Sequence, residues 1–489
     1  MKKVIIILMS CLLVGCSSKL IEPKMNSVYY EIFVGSFYDS NKDGIGDLKG
    51  VSKKLDYLKE LGVTSIWLMP INESNTYHKY DVIDYYKIDK DYGSITDLKE
   101  LIANSEEKNI DIILDLVINH TSIDHPWFVS AKNSMINNTC DTNKYCDYYN
   151  FSDEFKNDYH KIKDKLYYEG VFWDQMPDLN LSNQDVKNEI EKIVKYYLDL
   201  GVKGFRLDAT THYFNENKAK NIEFLKWFNE MVKTINPDAY LVGEAWTSEE
   251  IIKDMYESNI DSFFNFTMSQ KGNIVSSINR ESGYELAERV EKYNLEIKEK
   301  NSKALDALFL SNHDNDRSSG YLSSNINKQK LAASIYLLMS GNVFIYYGEE
   351  ISLKGSGKDE NKRLAMNWTN KDNDFEANNP LNSDYKIEQE LAVDEALKDK
   401  DSLLNHYKKV LSIRNSHQEF QDGNPLAIDL ANDKIMALDY GDFIVCHNLS
   451  KEKSEFKLVS SKIENITGDN VFKNELIIMD AYASIIVWK

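Results

Sequence analysis

Four short stretches of this 489-residue chain close an apolar run with side chains that can do chemistry. Asp115-Leu-Val-Ile-Asn119-His120 brings a carboxylate, an amide and an imidazole. Gly204-Phe-Arg206-Leu-Asp208 sets a guanidinium two residues before a carboxylate, so on a strand both face the same side. Gly243-Glu244-Ala-Trp246 and Leu310-Ser-Asn-His313-Asp314 add two more carboxylates and an imidazole. One acidic residue at a strand end is ordinarily a turn or helix-capping residue. Asp208, Glu244 and Asp314 together with Arg206, His120 and His313 exceed what capping needs, and point to an active site. A carboxylate kept ionised by a neighbouring guanidinium can act as a nucleophile. A second carboxyl with a raised pKa can protonate a leaving oxygen.

Those residues must be carried to one rim by the elements before them. Apolar runs at 28–34, 65–69, 110–117, 202–207, 239–243, 262–264, 307–310 and 343–346 read as short buried strands. Between them, apolar residues near helical spacing predict helices at 48–61, 98–107, 186–200, 222–235, 284–300, 329–339 and 402–416. Eight strand–helix units predict an α/β fold, a (β/α)₈ TIM barrel whose chemistry sits at the C-terminal ends of the strands. The polar, Tyr-rich stretch 121–183 is too long for a connecting loop and reads as an inserted subdomain after strand three. After about residue 418 short alternating strands follow, at 435–440, 443–448 and 485–488 among others. They predict a C-terminal all-β sandwich over 418–489, read as a cap on the barrel, since no aromatic pair marks it as a ligand-binding module. The barrel is therefore expected in two parts, 27–120 and 184–417.

Lys2 and Lys3 precede an apolar run that ends Leu13-Val14-Gly15-Cys16. The run is too short to span a bilayer as a mature helix and reads as a signal peptide over residues 1–15. It resembles the bacterial lipoprotein signal, which implies lipidation of Cys16, a tether over 16–26, and an exported protein anchored to the cell membrane or surface. Formal charge is −20, from 58 basic and 78 acidic residues. That acidity argues against nucleic acid as a partner. A monomer is expected. Cys140 and Cys146 lie six apart in a polar stretch, and no second Cys/His pair stands at zinc spacing. An exported chain can oxidise such a pair, so a local disulfide is expected. Cys446 falls in an apolar alternation and reads as a buried thiol.

A second chemical signal lies early in the chain. Asp39, Asn41, Asp43, Ile45 (through its carbonyl) and Asp47 offer oxygens at alternating positions, with Gly44 at the sharp turn. That is the pattern of a calcium loop, and a structural Ca²⁺ is expected there. The bidentate Glu of an EF-hand is missing, because Gly50 stands at its position, so Asp47 must compensate.

The four strand-end segments resemble the conserved segments of the α-amylase family of glycoside hydrolases, and the likeness covers nearly the whole chain after the signal. Asp43-Gly-Ile-Gly-Asp47-Leu, Tyr77-His78-Lys79-Tyr80-Asp81, Met176-Pro177-Asp178-Leu179-Asn180 and Tyr346-Tyr347-Gly348-Glu349-Glu350 resemble it as well. The resemblance implies a retaining glycosidase. Asp208 matches the nucleophile, Glu244 the general acid/base, and Asp314 the third carboxylate, which binds sugar hydroxyls. It implies that His120 and His313 bind hydroxyls, that Tyr80 stacks under the sugar, and that Arg206 orients Asp208. It further implies a second calcium site from Asn119, Asp178 and the His212 carbonyl. Asp115 reads as structural, bonded to Arg206. Asp81 has two readings: a chain-end binder, as in exo-acting relatives, or a structural residue.

The chain departs from the family pattern in places. Thr211-His212 stands where Lys-His is usual, and Lys79 stands where the family commonly has Gly. The Gly243–Trp246 segment looks like the α-amylase side of the family, whereas 362–368 resembles a substrate-side loop only loosely. The expected activity is cleavage of α-1,4-glucosidic bonds in starch, glycogen or maltodextrins, an α-glucan being the partner. The alternatives are an exo-acting α-glucosidase, an oligo-1,6-glucosidase, a cyclomaltodextrinase or neopullulanase activity, or a surface glycan-binding lipoprotein. The last usually loses an acid, and this chain keeps all three.

Overall fold

The computed structural model describes residues 27–215, 217–371, 375–384 and 392–489. The expected signal peptide over 1–15, the expected tether over 16–26 and Cys16, expected to be lipidated, lie outside the described residues. Eight parallel strands close into a barrel: β1 (Val28–Ile32), β2 (Ser65–Leu68), β3 (Asp111–Leu116), β4 (Gly204–Leu207), β5 (Tyr240–Gly243), β6 (Ser262–Phe264), β7 (Leu305–Phe309) and β8 (Asn342–Tyr346). Each pairs with the next, and β8 pairs with β1 in the register Val28 to Val343. Nearly every strand residue is buried, which is why the strands read as continuous apolar runs without alternation.

Helices cover the barrel with one apolar face each. Helix Gln184–Asp199 buries Val186, Ile190, Ile193, Val194 and Tyr197, and Asn183 caps it by accepting from Asp185 N and Val186 N. The expected helix 48–61 is two helices, Leu48–Lys53 and Leu55–Leu61, parted at Lys54. There the amide of Lys54 bonds back to Val51 and Ser52 instead of continuing the i−4 ladder. The Lys54 ammonium lies 3.9 Å from the Trp368 ring centre and 4.0 Å from that of Tyr38.

The insertion after β3 holds helix Pro126–Asn137 and a three-stranded antiparallel sheet of Phe151–Ser152, Leu166–Glu169 and Tyr159–Lys163. Cys140 and Cys146 form a disulfide within it. A hairpin that the sequence pattern does not reveal, Asn72–Ser74 with Val82–Ile88, follows β2 and carries residues 77–81 between its strands.

Beyond the last barrel helix, Leu403–Arg414, lie a five-stranded and a three-stranded antiparallel sheet. Ile435, Ile444 and Ile485 of the first share an apolar core with Phe456, Ile477 and Met479 of the second, giving the expected sandwich. Cys446 is a free, buried thiol in that core. Among the described residues, no helix is long and apolar enough to cross a membrane.

Candidate active site

The C-terminal rim of the barrel gathers Asp208, Glu244, Asp314, Tyr80 and His120 around one cavity of about 400 Å³. Arg206, fully buried on β4, organises its floor. Its Nη1 lies 2.6 Å from Asp208 Oδ1 and 2.9 Å from Asp115 Oδ1, and its Nη2 lies 3.0 Å from Glu244 Oε2. One guanidinium thus ties the ends of β3, β4 and β5. Asp115 is structural, bonded to Arg206 as expected.

The turn after Asp208 is made by Ala209, a non-glycine residue in the left-handed region at φ 47°. Such a conformation costs energy and persists where the surroundings enforce it. Here it aims the Ala209 N–H at Glu244 Oε2, 3.0 Å away. Burial raises the Glu244 pKa to about 7; Arg206 opposes this, and the Asp208 charge adds to it. The same burial lifts Asp115 to about 6 against the pull of Arg206. Asp208 meets Nη1 directly, and Glu244 holds a proton near neutrality. Trp246 lines the cavity but is 51% exposed, stacked at 5.2 Å on Phe266. The desolvation of Glu244 comes from its own burial at the rim.

His313 and Asp314 follow β7. His313 Nε2 lies 2.7 Å from Tyr80 Oη and 3.0 Å from Asp314 Oδ2. Burial opposes ionisation of Asp314, but His313 and then Arg363 hold its carboxyl far below the usual range. Arg363 Nη2 sits 2.9 Å from Asp314 Oδ1, and its Nη1 donates to Tyr77 Oη at 2.9 Å. Arg363, Glu31, Tyr77, Phe172 and Trp173 belong to this centre and were not singled out from sequence. The loop 362–368, which matched the family only loosely, is the one that delivers Arg363. Tyr80 stacks on His313 and donates to Asp115 Oδ2 at 3.1 Å. His120 Nε2 is buried without a hydrogen-bond partner and its ring lines the cavity. Burial holds that ring below the usual imidazole range, so it is neutral near pH 7. Asp81 does not line the cavity. It is 2% exposed, and Oδ1 accepts from the hydroxyls of Ser74, at 2.5 Å, and Thr76.

A family model, "Alpha amylase, catalytic domain", matches residues 31–423. The chain belongs to the α-amylase family of glycoside hydrolases. It is 40% identical over 475 residues to "Alpha-amylase 3" of Dictyoglomus thermophilum, covering 94% of this chain and 93% of that one. It is 29% identical over 464 residues to a 4-alpha-glucanotransferase of Thermotoga maritima, covering 88% of this chain and 98% of that one. Among solved structures it resembles Eubacterium rectale Amy13B, with TM-score 0.90 and 37% identity over 95% of each chain. As a member of the α-amylase family it is an enzyme, and the surface-binding alternative is set aside.

Two oxygen-rich places in this α-amylase-family chain coincide with the expected calcium sites, although among the described residues no three Asp, Glu, His or Cys side chains converge as a metal-ligand cluster. In the loop after β1, buried Asp39 accepts from the backbone N–H groups of Asn41, Lys42 and Gly44. Asp43 Oδ1 accepts from Ile45 N, and Asp47 accepts from Ser40 N and Gly50 N. Asp39, Asn41, Asp43 and Asp47 thus share one tight loop, and every donor they offer a cation is oxygen. The second place is a cavity of about 230 Å³ where the insertion meets the barrel, lined by Asn119, Asp178, His212 and Glu169. Burial raises Asp178 to about 8, against a bond from Val171 N. Asp178 accepts from Asn119 Nδ2 and Val171 N, and Glu169 accepts from Asn150 Nδ2 and Asn215 Nδ2, so both acids are held by amide donors.

Proposed function

We propose that this chain is an exported, lipid-anchored, retaining α-amylase that cleaves internal α-1,4-glucosidic bonds of starch-type glucans. The observation that carries the retaining reading is the bridging of Asp208 and Glu244 by adjacent nitrogens of Arg206. A retaining pair must approach to about 5–5.5 Å, and one guanidinium holding both keeps them close. Asp208 attacks the anomeric carbon while Glu244 gives its proton to the leaving glycosidic oxygen. Asp208 is then bonded to that carbon, and Glu244, now a carboxylate, takes a proton from water. The water oxygen displaces Asp208 and the configuration is kept. Asp314 and His120 bind hydroxyls of the sugar in its distorted form, and Tyr80 supplies the apolar face under it. His313, expected to bind a hydroxyl, is buried with both ring nitrogens engaged and orients Asp314 rather than meeting the sugar.

The buried Asp81 supports internal cleavage over the exo reading, since a carboxylate tied to Ser74 and Thr76 is not free to cap a chain end. The α-amylase relative at 40% identity supports the same choice. Calcium would brace the Asp39–Asp47 loop after β1, and a second ion held by Asn119, Asp178 and the His212 carbonyl would join the barrel and insertion. Neither ion would take part in bond cleavage. The lipoprotein-like run ending at Cys16 supports a tether that holds the hydrolase at the cell surface.

Time-resolved proton NMR of maltoheptaose with calcium, using protein lacking residues 1–16, tests the reading beside Asp208→Asn. Mid-length products with α-anomeric ends, absent in the variant, are expected. Glucose released first overturns internal cleavage, and β-anomeric ends overturn the retaining mechanism. Products longer than the substrate assign the chain to transfer, since another sugar can intercept the covalent intermediate in place of water.

A further inference from the structure

Glu31 lies on β1, away from the segments that carry the reacting carboxylates, yet it reaches the centre through one ring. Its side chain is 1% exposed, and Oε1 lies 2.6 Å from His313 Nδ1 and 3.3 Å from the His313 backbone N. Among the described residues its ion-pair partner is His313 alone. On the other side of the ring, Nε2 faces Asp314 Oδ2 at 3.0 Å and Tyr80 Oη at 2.7 Å. Ionised carboxylates only accept, and the Tyr80 hydroxyl already donates to Asp115. Both ring nitrogens therefore meet acceptors and must both donate. We propose that Glu31 is a positioning residue of the reaction centre: it keeps His313 doubly protonated, so that the ring anchors Asp314 while adding no net charge beside a cationic transition state.

The chemistry supports a balanced arrangement. The sugar develops oxocarbenium character, and a lone imidazolium beside it would oppose that charge. Glu31 cancels it at the far nitrogen. Burial works against the charged ring, but Asp314 and Glu31 together raise it to about 10. The groups around it are Glu31 on β1, Asp115 on β3, Arg206 on β4, Tyr80 from the hairpin, Asp314 beside it and Arg363 from the loop after β8. Trp67 closes one edge of the ring at 5.7 Å. The inference rests on the hydroxyl-binding role given to Asp314 above.

The test is ¹⁵N-histidine NMR on the full chain, with His313 assigned by its loss in His313→Gln. In the wild type both ring nitrogens should carry protons up to pH 8. Glu31→Gln keeps an acceptor but not the charge. It should leave His313 singly protonated at pH 8 and lower kcat on maltoheptaose 10- to 100-fold, with KM within threefold. Glu31→Asp keeps the charge and should restore the doubly protonated signature. A singly protonated wild-type ring at pH 7 overturns the proposal, whatever the activity. So does a Glu31→Gln protein whose ring stays doubly protonated, or a Glu31→Asp protein that loses the signature while melting like the wild type.

Discussion

The ammonium of Lys79 lies 2.9 Å from the Asp89 carboxylate, and the Lys79 backbone is left-handed at φ 66°. The two side chains are 6% and 3% exposed, and Asp91 stands 3.6 Å away. A left-handed φ explains why glycine is common here in the family and costs lysine about 1–2 kcal/mol. Breaking a buried pair by removing one partner costs about 3–5 kcal/mol. The pair therefore outweighs the strain. Lys79→Gly should destabilise the protein by about 2 kcal/mol in denaturant titration, and Lys79→Met, which keeps the strain, by more. A Lys79→Gly protein as stable as the wild type would remove the pair from the account.

Glu244 sets the alkaline limb of activity. It must carry a proton to start the reaction, and burial, opposed by Arg206, places its pKa near 7. kcat/KM should hold at lower pH and fall as pH rises through about 7, where the free enzyme loses that proton. Glu244→Gln should lower kcat on maltoheptaose by about 10²–10⁴. The loss should be smaller on an aryl glucoside whose leaving group needs no protonation. An alkaline limb unchanged in Glu244→Gln would assign that titration elsewhere.

The barrel was legible because parallel strands buried on both faces leave apolar runs that need no partner to be seen. All eight fall within a few residues of where the runs place them, and 262–264 coincides with β6. The carboxylates were legible because Asp208 and Glu244 stand directly after such a run and Asp314 four residues beyond one. Glu31 was not, since it interrupts an apolar strand and its meaning depends on His313, 282 residues away. Arg363 escaped for the same reason: only closure of the barrel brings the loop after β8 over the end of β7. The break at Lys54, whose N–H bonds back to Val51 and Ser52, leaves no mark in the helical spacing.

Asp306 on β7 makes stability depend on pH apart from catalysis. Its Oδ2 accepts from Asn265 Nδ2 at 2.9 Å, and Oδ1 is buried without a partner. Burial raises its pKa to about 7. A carboxyl with a raised folded pKa gives stability that is fully present below about pH 4, the unfolded value, and lost as pH rises through about 7. The protein should therefore melt at a higher temperature at pH 5 than at pH 8. Asp306→Asn, which supplies an amide in place of the ionisable oxygen, should flatten that slope and gain on the order of 2 kcal/mol over the wild type at pH 8. An unaltered slope in Asp306→Asn would shift the effect to the other buried acids, Glu349 foremost, which burial also raises to about 7.

The calcium proposed for the loop after β1 can be separated from the fold of the loop by choosing the right acid. Asp39 and Asp47 bond backbone N–H groups, and Asp47 caps helix Leu48–Lys53, so substituting either damages the chain with or without a metal. Asp43 is exposed, and among the described residues its side chain bonds only within the loop, to Ile45 N and Asn41 Nδ2. A ligand at one hundred times its Kd stabilises the folded state by about 2.7 kcal/mol. The wild type should gain about that much from calcium, read as a rise in Tm over a chelated sample. Asp43→Ala should lose most of the gain while matching the wild type under chelator. Calorimetric titration should then show one ion fewer, the remaining ion belonging to the cavity lined by Asn119 and Asp178. A wild-type Tm indifferent to chelator would mean that the loop is held by its Asx turns alone.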